Sequence, residues 1–268
     1  MGTENDTGKR WLKAEMHAHC NLDPVDYGIC GFSPEQLLCR AAGEGFDVLA
    51  ITCHNRNVWT DRLCAYARGL GITLVPGMEV TVENTRHVLV YNFDGGPRDL
   101  DTLEKIRGRS GGQTLVVAPH PYYPGRSCLR GRLEENPDLF DAVEYSGFVV
   151  PGVNFNRRGV RAAARMGKPL LGCGDVHHLW QLGRTYAWIW AAPGVRTVLD
   201  SIRQGSVRLA ASPISWAEAA RWWARAALGP SGALRRPHPQ DGASDKVEDG
   251  RGFGAAQEGM ESQGIHVG

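Results

Sequence analysis

The chain has 268 residues, enough for one large domain with a sizeable core or for two small ones. Its 30 lysines and arginines balance 29 aspartates and glutamates, so it offers no overall field for duplex DNA, although a small charged substrate could still bind in a local pocket. Seven cysteines without a CxxC pair argue against both a secreted disulfide framework and a cysteine-ligated zinc knuckle.

The two ends of the chain differ in composition from its middle. The first ten residues are polar, and no apolar run approaches the roughly 18 residues that span a bilayer, so we expect a cytoplasmic protein without a signal peptide or transmembrane segment. From Gly229 onwards the chain is rich in Gly, Pro, Ser and charge. This pattern predicts a flexible N-terminus at 1–10, a folded domain at 11–228 and a disordered tail at 229–268.

Short apolar strands alternate with helices along the predicted domain. A strand at 11–19 comes first, and the next helix begins at Pro34 with Ser33 as its cap. Further strands are predicted at 47–52, 72–82, 87–93, 114–118, 142–145, 169–172, 186–191 and 207–210, and further helices at 58–70, 99–107, 156–166 and 197–203. This alternation is typical of an α/β fold whose parallel sheet is either open or closed into a barrel.

The first predicted strand ends on two histidines separated by one residue. On a strand, residues i and i+2 point to the same side, so His17 and His19 would present two imidazoles on one face and could bind one metal ion. On a helix the two side chains would diverge by about 200°. Two surface histidines near a terminus are the plain alternative, so the metal reading depends on residues further along the chain.

Histidines and acidic residues recur where the predicted strands end. They are His17, His19, His54, Glu79, His120, Asp175 and His177, and His87 is an exception because it lies near a strand start. The carboxyl ends of the strands of a βα barrel meet at one rim, where active sites are built. A His, Asp and Glu set without cysteine suits Zn, Mn or Fe, and the two oxygens of Glu79 could bridge two ions. The spacing therefore predicts a site for more than one divalent ion.

Six short motifs in this order resemble the PHP (polymerase and histidinol phosphatase) family across residues 11–210. They are Glu15-Met16-His17-Ala18-His19, Ile51-Thr52-Cys53-His54-Asn55, Gly77-Met78-Glu79-Val80-Thr81, His87-Val88-Leu89, Ala118-Pro119-His120-Pro121 and Gly172-Cys173-Gly174-Asp175-Val176-His177. The resemblance implies a distorted (β/α)7 barrel with two or three metals at the carboxyl ends of the strands. Typical members of this family hydrolyse phosphate esters.

The resemblance also implies which residues bind which ion. His17, His19, Glu79 and Asp175 match the ligands of the first metal, and Glu79, His87 and His120 match those of the second. Asp23, His54 and His177 match those of the third, and Asn156 matches a family asparagine.

Four positions depart from the family pattern. Glu15 and Cys53 stand where the family usually has Asp, and Gly174 stands where it usually has Ser. Asp23 lies one residue before the usual loop position, which Pro24 occupies here. Because the changes gather near the third site, we predict two tight metals and a weaker third one. Cys53 could itself be a ligand or a reactive thiol, but a buried neutral cysteine is the preferred interpretation.

Two arginines are candidates for holding a phosphate. Arg126 lies in the loop after His120, with Arg130 and Arg132, and Arg184 follows Asp175 by nine residues. Guanidinium groups bind phosphate in bidentate fashion, although a solvated basic loop would look the same in sequence. The amphipathic segment 213–228, with three tryptophans, predicts a helix packed across the barrel or a surface for a membrane or a second subunit.

These features predict a metal-dependent hydrolase of a small phosphate ester or nucleotide, with Asp175 or His177 handling the proton. Two alternatives stay open on the sequence. Such metal pairs also polarise carbonyl groups, so an amide or lactone hydrolase is possible. A non-catalytic, metal-depleted relative would carry the same motifs.

Overall fold

One mixed β-sheet organises the fold of the described residues, which are 8–93, 95–109 and 111–228 of the computed structural model. Its strands are β1 (Arg10–Glu15), β2 (Val48–Ile51), β3 (Thr73–Val82), β4 (Arg86–Tyr91), β5 (Leu115–Ala118), β6 (Ala142–Ser146), β7 (Leu170–Cys173), β8 (Thr185–Ala191) and β9 (Val207–Ala211). They are ordered β7-β6-β5-β4-β3-β2-β1-β8-β9 across the sheet. Each strand ends at the position that the sequence predicts, one residue beyond it, or up to four residues short of it.

Seven helices connect or follow these strands in the described part of the chain. They are α1 (Pro34–Gly43), α2 (Asp61–Gly69), α3 (Leu103–Arg109), α4 (Gly131–Glu135), α5 (Asn156–Met166), α6 (Val195–Arg203) and α7 (Trp216–Leu228). The predicted start of α1 is confirmed, because the Ser33 hydroxyl accepts from the backbone N–H of Gln36 and the Gln36 side chain accepts from that of Ser33.

The sheet curls into a nearly closed barrel, which confirms the predicted fold class. Strand β7, at one edge, lies beside β8 and β9 at the other. Gly172 allows this approach, because a Cβ atom there would lie 2.4 Å from the carbonyl oxygen of Tyr186. The pairing is mixed: β1, β2 and β3 are parallel, as are β5, β6 and β7, whereas β4, β8 and β9 pair antiparallel with their neighbours.

The direction of β4 explains the one histidine that lies at a strand start. Strand β4 follows β3 through a short turn and runs antiparallel to it, with His87 opposite Thr81. The start of β4 therefore lies at the same rim as the carboxyl ends of the parallel strands. His87 reaches the rim because its strand is reversed, so it is no exception to the rule that places the other ligands.

Buried aliphatic side chains fill the barrel and the layer beneath the helices. The interior contains residues of the strands such as Leu12, Val117 and Ile189, and the Tyr91 hydroxyl donates to the carbonyl oxygen of Met16 at 2.6 Å. One cluster lies under α1 and α2 and another under α3 and α5. This double layer holds the strand ends in place, so the rim is a rigid support for a site.

The C-terminal helix α7 agrees with the predicted helix at 213–228. Ile214 and Ala219 are buried beside Val150, whereas the Trp216 side chain is 58% exposed. None of the helices in the described residues is both long and apolar enough to cross a bilayer. The predicted tail at 229–268, and most of the predicted flexible N-terminus at 1–10, lie outside the described residues, and β1 begins at Arg10.

Candidate metal centre

The strand ends deliver the predicted ligands to one rim of the barrel. His17 and His19 follow β1, His54 follows β2, His120 follows β5, and Asp175 follows β7. Strand pairing continues past the regular strands through parallel bridges between Ala18 and Val176 and between His54 and Glu79. These bridges keep the loops extended, and they bring distant sequence motifs side by side.

Glu79 lies at the centre of the cluster, with its two carboxylate oxygens facing different histidines. Oε2 lies 3.2 Å from Nε2 of His17 and 3.4 Å from Nε2 of His19. Oε1 lies 2.8 Å from Nδ1 of His87 and 3.1 Å from Nε2 of His120. The Glu79 side chain is only 1% exposed. This division of the two oxygens is what a carboxylate bridging two ions requires.

Asp175 completes the first of these groups. Its Oδ1 atom lies 3.4 Å from Nε2 of His17 and 3.6 Å from Nε2 of His19, and those two nitrogens are 3.1 Å apart. The predicted same-face geometry of His17 and His19 is therefore present. The Asp175 side chain is 27% exposed, so this carboxylate is open to a bound molecule, unlike Glu79.

A third group forms around the loop after β1. Oδ2 of Asp23 lies 2.8 Å from Nδ1 of His19 and 3.0 Å from Nδ1 of His54, and it also accepts from the backbone N–H of His54. Oδ2 of Asp26 lies 3.0 Å from Nε2 of His177 and 3.4 Å from Nδ1 of His54. Asp26 is thus a further acidic residue of the cluster, and the sequence reading did not select it.

Two more buried carboxylates support the ligand strands. Oε2 of Glu144, at the middle of β6, lies 2.7 Å from Nδ1 of His17. Glu15 accepts from the backbone N–H groups of Gly174, at 2.9 Å, and His17, at 3.0 Å, so it ties the end of β1 to that of β7. Burial raises the pKa of Glu15 to about 8. The sequence places Glu144 at the end of a predicted strand, where it could face the site, but this position alone did not assign it a role.

The backbone is strained at two of the predicted ligands. His120 and Asp175 have φ angles of 29° and 50°, in the left-handed region that residues other than glycine rarely adopt. Such conformations cost about 1–3 kcal/mol each and cluster at functional sites. The surrounding structure holds both residues in these conformations at the mouth of the cluster.

Charge is balanced inside the cluster by histidines. Burial disfavours every charged form here, but the imidazoles of His87, His17 and His54 outweigh it and hold the pKa of Glu79 well below its usual range. In the same way, burial is outweighed by Asp175, Glu144 and Glu79, which raise the pKa of His17 to about 10. The carboxylate of Glu79 is therefore ionised, and the protonated imidazole of His17 balances it.

The donor set fits divalent metal ions. The ion pairs of Glu79, Asp175, Asp23 and Asp26 in the described residues join them to histidines and to no lysine or arginine. Four overlapping groups of three or four such residues have their ligand atoms within 4.8 Å of one another. A divalent cation supplies the positive charge that protonated imidazoles otherwise provide, and nitrogen and oxygen donors suit Zn, Mn or Fe.

A cavity opens above the cluster. It has a volume of about 190 Å³ and is reached by His120, Asp175 and His177. Its walls include Tyr123, Phe148, Phe155 and Cys128, and the Cys128 thiol lies 3.6 Å from Nδ1 of His120. The described lining contains no lysine or arginine. Asp175 and His177, the predicted catalytic residues, are thus the acidic and basic groups that a bound molecule would meet, together with His120.

The two predicted phosphate-binding arginines are not part of the described cluster. Arg184 pairs with Glu218 of α7 at 2.6 Å. Arg126 is exposed and lies between Gly125 and Ser127, which line the cavity although Arg126 does not.

Asn156 does not cap α5, because it is the first helical residue. Its side chain accepts from the backbone N–H of Ser146 and donates to the Tyr123 hydroxyl.

Two free cysteines, Cys20 and Cys53, are buried side by side near the third group. The Sγ atoms of Cys20 and Cys53 are 3.4 Å apart, and neither side chain is exposed. Burial and the neighbouring Cys20 thiol raise the pKa of Cys53, which keeps it in the neutral form. This agrees with the preferred interpretation of Cys53 as a space-filling thiol.

Three comparisons relate the chain to known proteins. A family model described as PHP-associated matches residues 153–207. An uncharacterized protein of Methanocaldococcus jannaschii is 28% identical over 158 residues, which cover 52% of this chain and 86% of that protein. Both matches are similarities of amino-acid sequence.

Two solved structures share the fold. A two-domain protein of Bacteroides vulgatus that contains a predicted PHP-like metal-dependent phosphoesterase has a TM-score of 0.59 at 15% identity, over 79% of this chain and 68% of that one. PsfC of Pseudomonas syringae has a TM-score of 0.52 at 18% identity, over 82% of this chain and 97% of that one.

The fold and the ligand cluster define an α/β barrel protein with a metal-binding rim. A PHP-associated model matches one segment of the chain, and the fold is shared with a protein that contains a predicted PHP-like phosphoesterase; both findings agree with the resemblance to the PHP family that the motifs indicate.

Proposed function

We propose that this protein is a metal-dependent hydrolase of a phosphate ester, either a small phosphomonoester or a nucleotide. The observation that carries the proposal is the buried carboxylate of Glu79, whose two oxygens face separate sets of imidazoles beneath an open cavity. The fold shared with the Bacteroides vulgatus protein, which contains a predicted phosphoesterase, supports it.

The proposed ligands form three groups around Glu79. The first group is His17, His19, Glu79 and Asp175, the second is Glu79, His87 and His120, and the third is His54 and His177 with an aspartate of the first loop. These residues would hold divalent ions, which would supply Lewis acidity for activating water and positive charge beside a phosphoryl group. Zinc, manganese and iron are the candidate ions.

Asp175 and His177 are the proposed catalytic residues, because both line the cavity. Burial would raise the pKa of Asp175, but His17 and His177 outweigh it and hold that pKa well below its usual range, so the carboxylate is ionised. His177 is oriented at both ring nitrogens, with Nδ1 3.0 Å from the carbonyl oxygen of Asp175 and Nε2 3.0 Å from Asp26. A fixed imidazole beside an ionised carboxylate can hold or move a proton during the reaction.

Hydrolysis of an amide or lactone is the second candidate function. It is favoured by the described lining of the cavity, which holds no lysine or arginine to pair with a dianionic phosphoryl group. Arg126 could contribute only from its exposed position in the neighbouring loop. Phosphate hydrolysis therefore relies on the bound ions for positive charge, whereas carbonyl hydrolysis needs less of it.

The test is a substrate screen on protein purified with Mn or Zn present. Metal content is measured by elemental analysis, and hydrolysis of phosphomonoesters, nucleotides, amides and lactones is compared in the wild type and in Asp175→Asn. The proposal expects at least one phosphate ester to be hydrolysed, with activity lost in Asp175→Asn and on treatment with a chelator. Hydrolysis of carbonyl substrates alone would favour the second candidate, and less than one metal ion per chain would indicate a non-catalytic relative.

A further inference from the structure

Beyond the proposed metal ligands that form its floor, the cavity is bounded by aromatic rings and neutral groups. We propose that it binds the alcohol portion of the substrate as one neutral ring, so that the preferred substrates are phosphate monoesters of compact aromatic alcohols without a second anionic group. This inference rests on the proposed phosphoesterase function.

A series of rings leads outwards from the metal centre. The rings of His120 and Tyr123 have centroids 6.5 Å apart, and those of Tyr123 and Phe155 are 5.4 Å apart. Phe148 also lines the cavity. Ring pairs at these separations and tilts are favourable, and a substrate ring could extend the same arrangement. If the phosphoryl group lies at the metal centre, the apolar part of the substrate that extends from it would therefore lie against Tyr123 and Phe155.

The aromatic wall is held in place before any ligand binds. The Tyr123 hydroxyl donates to the backbone carbonyl oxygens of Ser146, at 3.3 Å, and Phe148, at 3.0 Å, and it accepts from the side-chain amide of Asn156 at 3.1 Å. Since three groups fix this hydroxyl, Tyr123 presents its ring, and not its polar end, to the cavity. A wall that is already ordered costs little conformational entropy on binding.

The enclosed part of the cavity has room for about one ring. Its volume is about 190 Å³. For scale, an apolar protein cavity of about 150 Å³ is large enough to bind benzene. A six-membered aromatic ring therefore fills this space, whereas a purine with its ribose is too large to be enclosed by it.

The charge of the lining disfavours a second anionic group on the substrate. The described lining has no lysine or arginine, and its one acidic residue is Asp175. A carboxylate or second phosphate held against Phe148 and Phe155 would lose hydration without gaining a cationic partner. This distinguishes the preferred substrates from bisphosphates and from phosphorylated acids.

The experiment compares three substrates on the metal-loaded wild-type protein. Benzyl phosphate and ethyl phosphate have leaving alcohols of similar acidity, so a difference in their kcat/KM values reports on binding of the ring. Adenosine 3′,5′-bisphosphate tests a larger and doubly charged ligand. The expected result is a kcat/KM for benzyl phosphate at least about tenfold above the other two, the scale on which an apolar pocket discriminates.

A pair of variants assigns that preference to the cavity. Phe155→Ala removes one wall, and Tyr66→Ala removes a ring of α2 that is 39% exposed and lies outside the lining. The ratio of the kcat/KM values for benzyl and ethyl phosphate should fall about tenfold in Phe155→Ala and stay unchanged in Tyr66→Ala. Circular dichroism of each variant checks that it is folded.

The outcomes separate this inference from the proposed function. Activity on ethyl phosphate or the bisphosphate that equals or exceeds activity on benzyl phosphate overturns the inference while the phosphoesterase function stands. An unchanged ratio in folded Phe155→Ala also overturns it. Absence of hydrolysis of every phosphate ester by fully metal-loaded protein overturns the proposed function itself.

Discussion

The carboxylate of Glu15 occupies the space that a side chain at position 174 would need. A Cβ atom at Gly174 would lie 2.6 Å from Oε2 of Glu15 and 2.7 Å from Cγ2 of Val176, closer than Cβ atoms approach other heavy atoms. The family pattern has a shorter Asp and a larger Ser at these two places. The two departures therefore compensate each other in part, because the longer acidic side chain fills volume that the missing serine side chain leaves, whereas Val176 would have to shift in either case.

The first prediction follows from this compensation. Gly174→Ser alone should destabilise the protein by about 1–3 kcal/mol, because it overfills a buried site. Adding Glu15→Asp should recover part of that loss, with a coupling free energy of about 0.5–3 kcal/mol between the two positions. Chemical denaturation of the wild type, both single variants and the double variant gives this coupling. Additive effects of the two substitutions would show that the residues are independent.

The sequence could predict the rim of ligands because one geometric rule places them. Parallel strands of a barrel end at the same rim, so polar residues that follow successive strands, such as His17, His54 and His120, must lie together. His87 did not fit the rule until the structure showed that β4 runs antiparallel to β3. The direction of β4 depends on how the whole barrel closes, and a local sequence pattern does not predict that.

The supporting residues were harder to find from sequence. Glu144 lies in the middle of an apolar strand, and its partner His17 is 127 residues away. Asp26 belongs to a loop whose conformation is set by hydrogen bonds that Asp23 accepts from the backbone N–H groups of Val25 and Asp26, each at 2.8 Å. Contacts of this kind depend on tertiary structure, so residue spacing does not reveal them.

Glu144 should orient His17 for metal binding. Its Oε2 atom lies 2.7 Å from Nδ1 of His17, which leaves Nε2 directed at Glu79, and Oε1 of Glu144 has no hydrogen-bond partner among the described residues. Histidines that bind metals commonly donate their other ring N–H to a carboxylate, and loss of that partner weakens metal affinity by about 10–100-fold.

The second prediction is that Glu144→Gln weakens metal binding by about 10–100-fold, because it keeps the shape of the side chain and removes its charge. Competition with a chromophoric chelator measures the affinity, and excess metal should restore the lost activity. Glu35→Gln, at a partly exposed glutamate in the first turn of α1 that pairs with Arg62, is the control and should bind metal like the wild type. Unchanged affinity in Glu144→Gln would exclude this role.

The third prediction concerns Arg126, which sequence analysis proposed as a phosphate ligand. Because the residue is exposed and outside the described lining, Arg126→Ala should lower kcat/KM for a phosphate ester by less than about fivefold, the scale of an exposed ionic contact. Steady-state kinetics on the best substrate of the screen measures this. A loss of 100-fold or more would show that Arg126 reaches the phosphoryl group during the reaction.

The third group of ligands differs in kind from the first two. Every described acceptor position of Asp23 is engaged by His19, His54 or the backbone of its own loop. Asp23 therefore orients His19 and His54, as Glu144 orients His17. Asp26 lies nearer to His177, and its side chain is 17% exposed, so it is better placed to serve as the acidic ligand of a third ion.

The last prediction is a metal count. The first two groups keep their full sets of nitrogen and oxygen donors, whereas the third depends on Asp26 in a loop and lacks the acidic residue that Cys53 replaces. Dialysed, substrate-free wild type should retain about two ions per chain. His54→Ala and Asp26→Asn should each lower turnover while retaining about two ions, whereas His17→Ala should lose metal and activity together.

His238→Ala, at a histidine outside the ligand motifs, is the control for this metal count and should match the wild type. Elemental analysis paired with kinetics distinguishes these cases, and three ions per chain that survive prolonged dialysis of the wild type would contradict the weak third site.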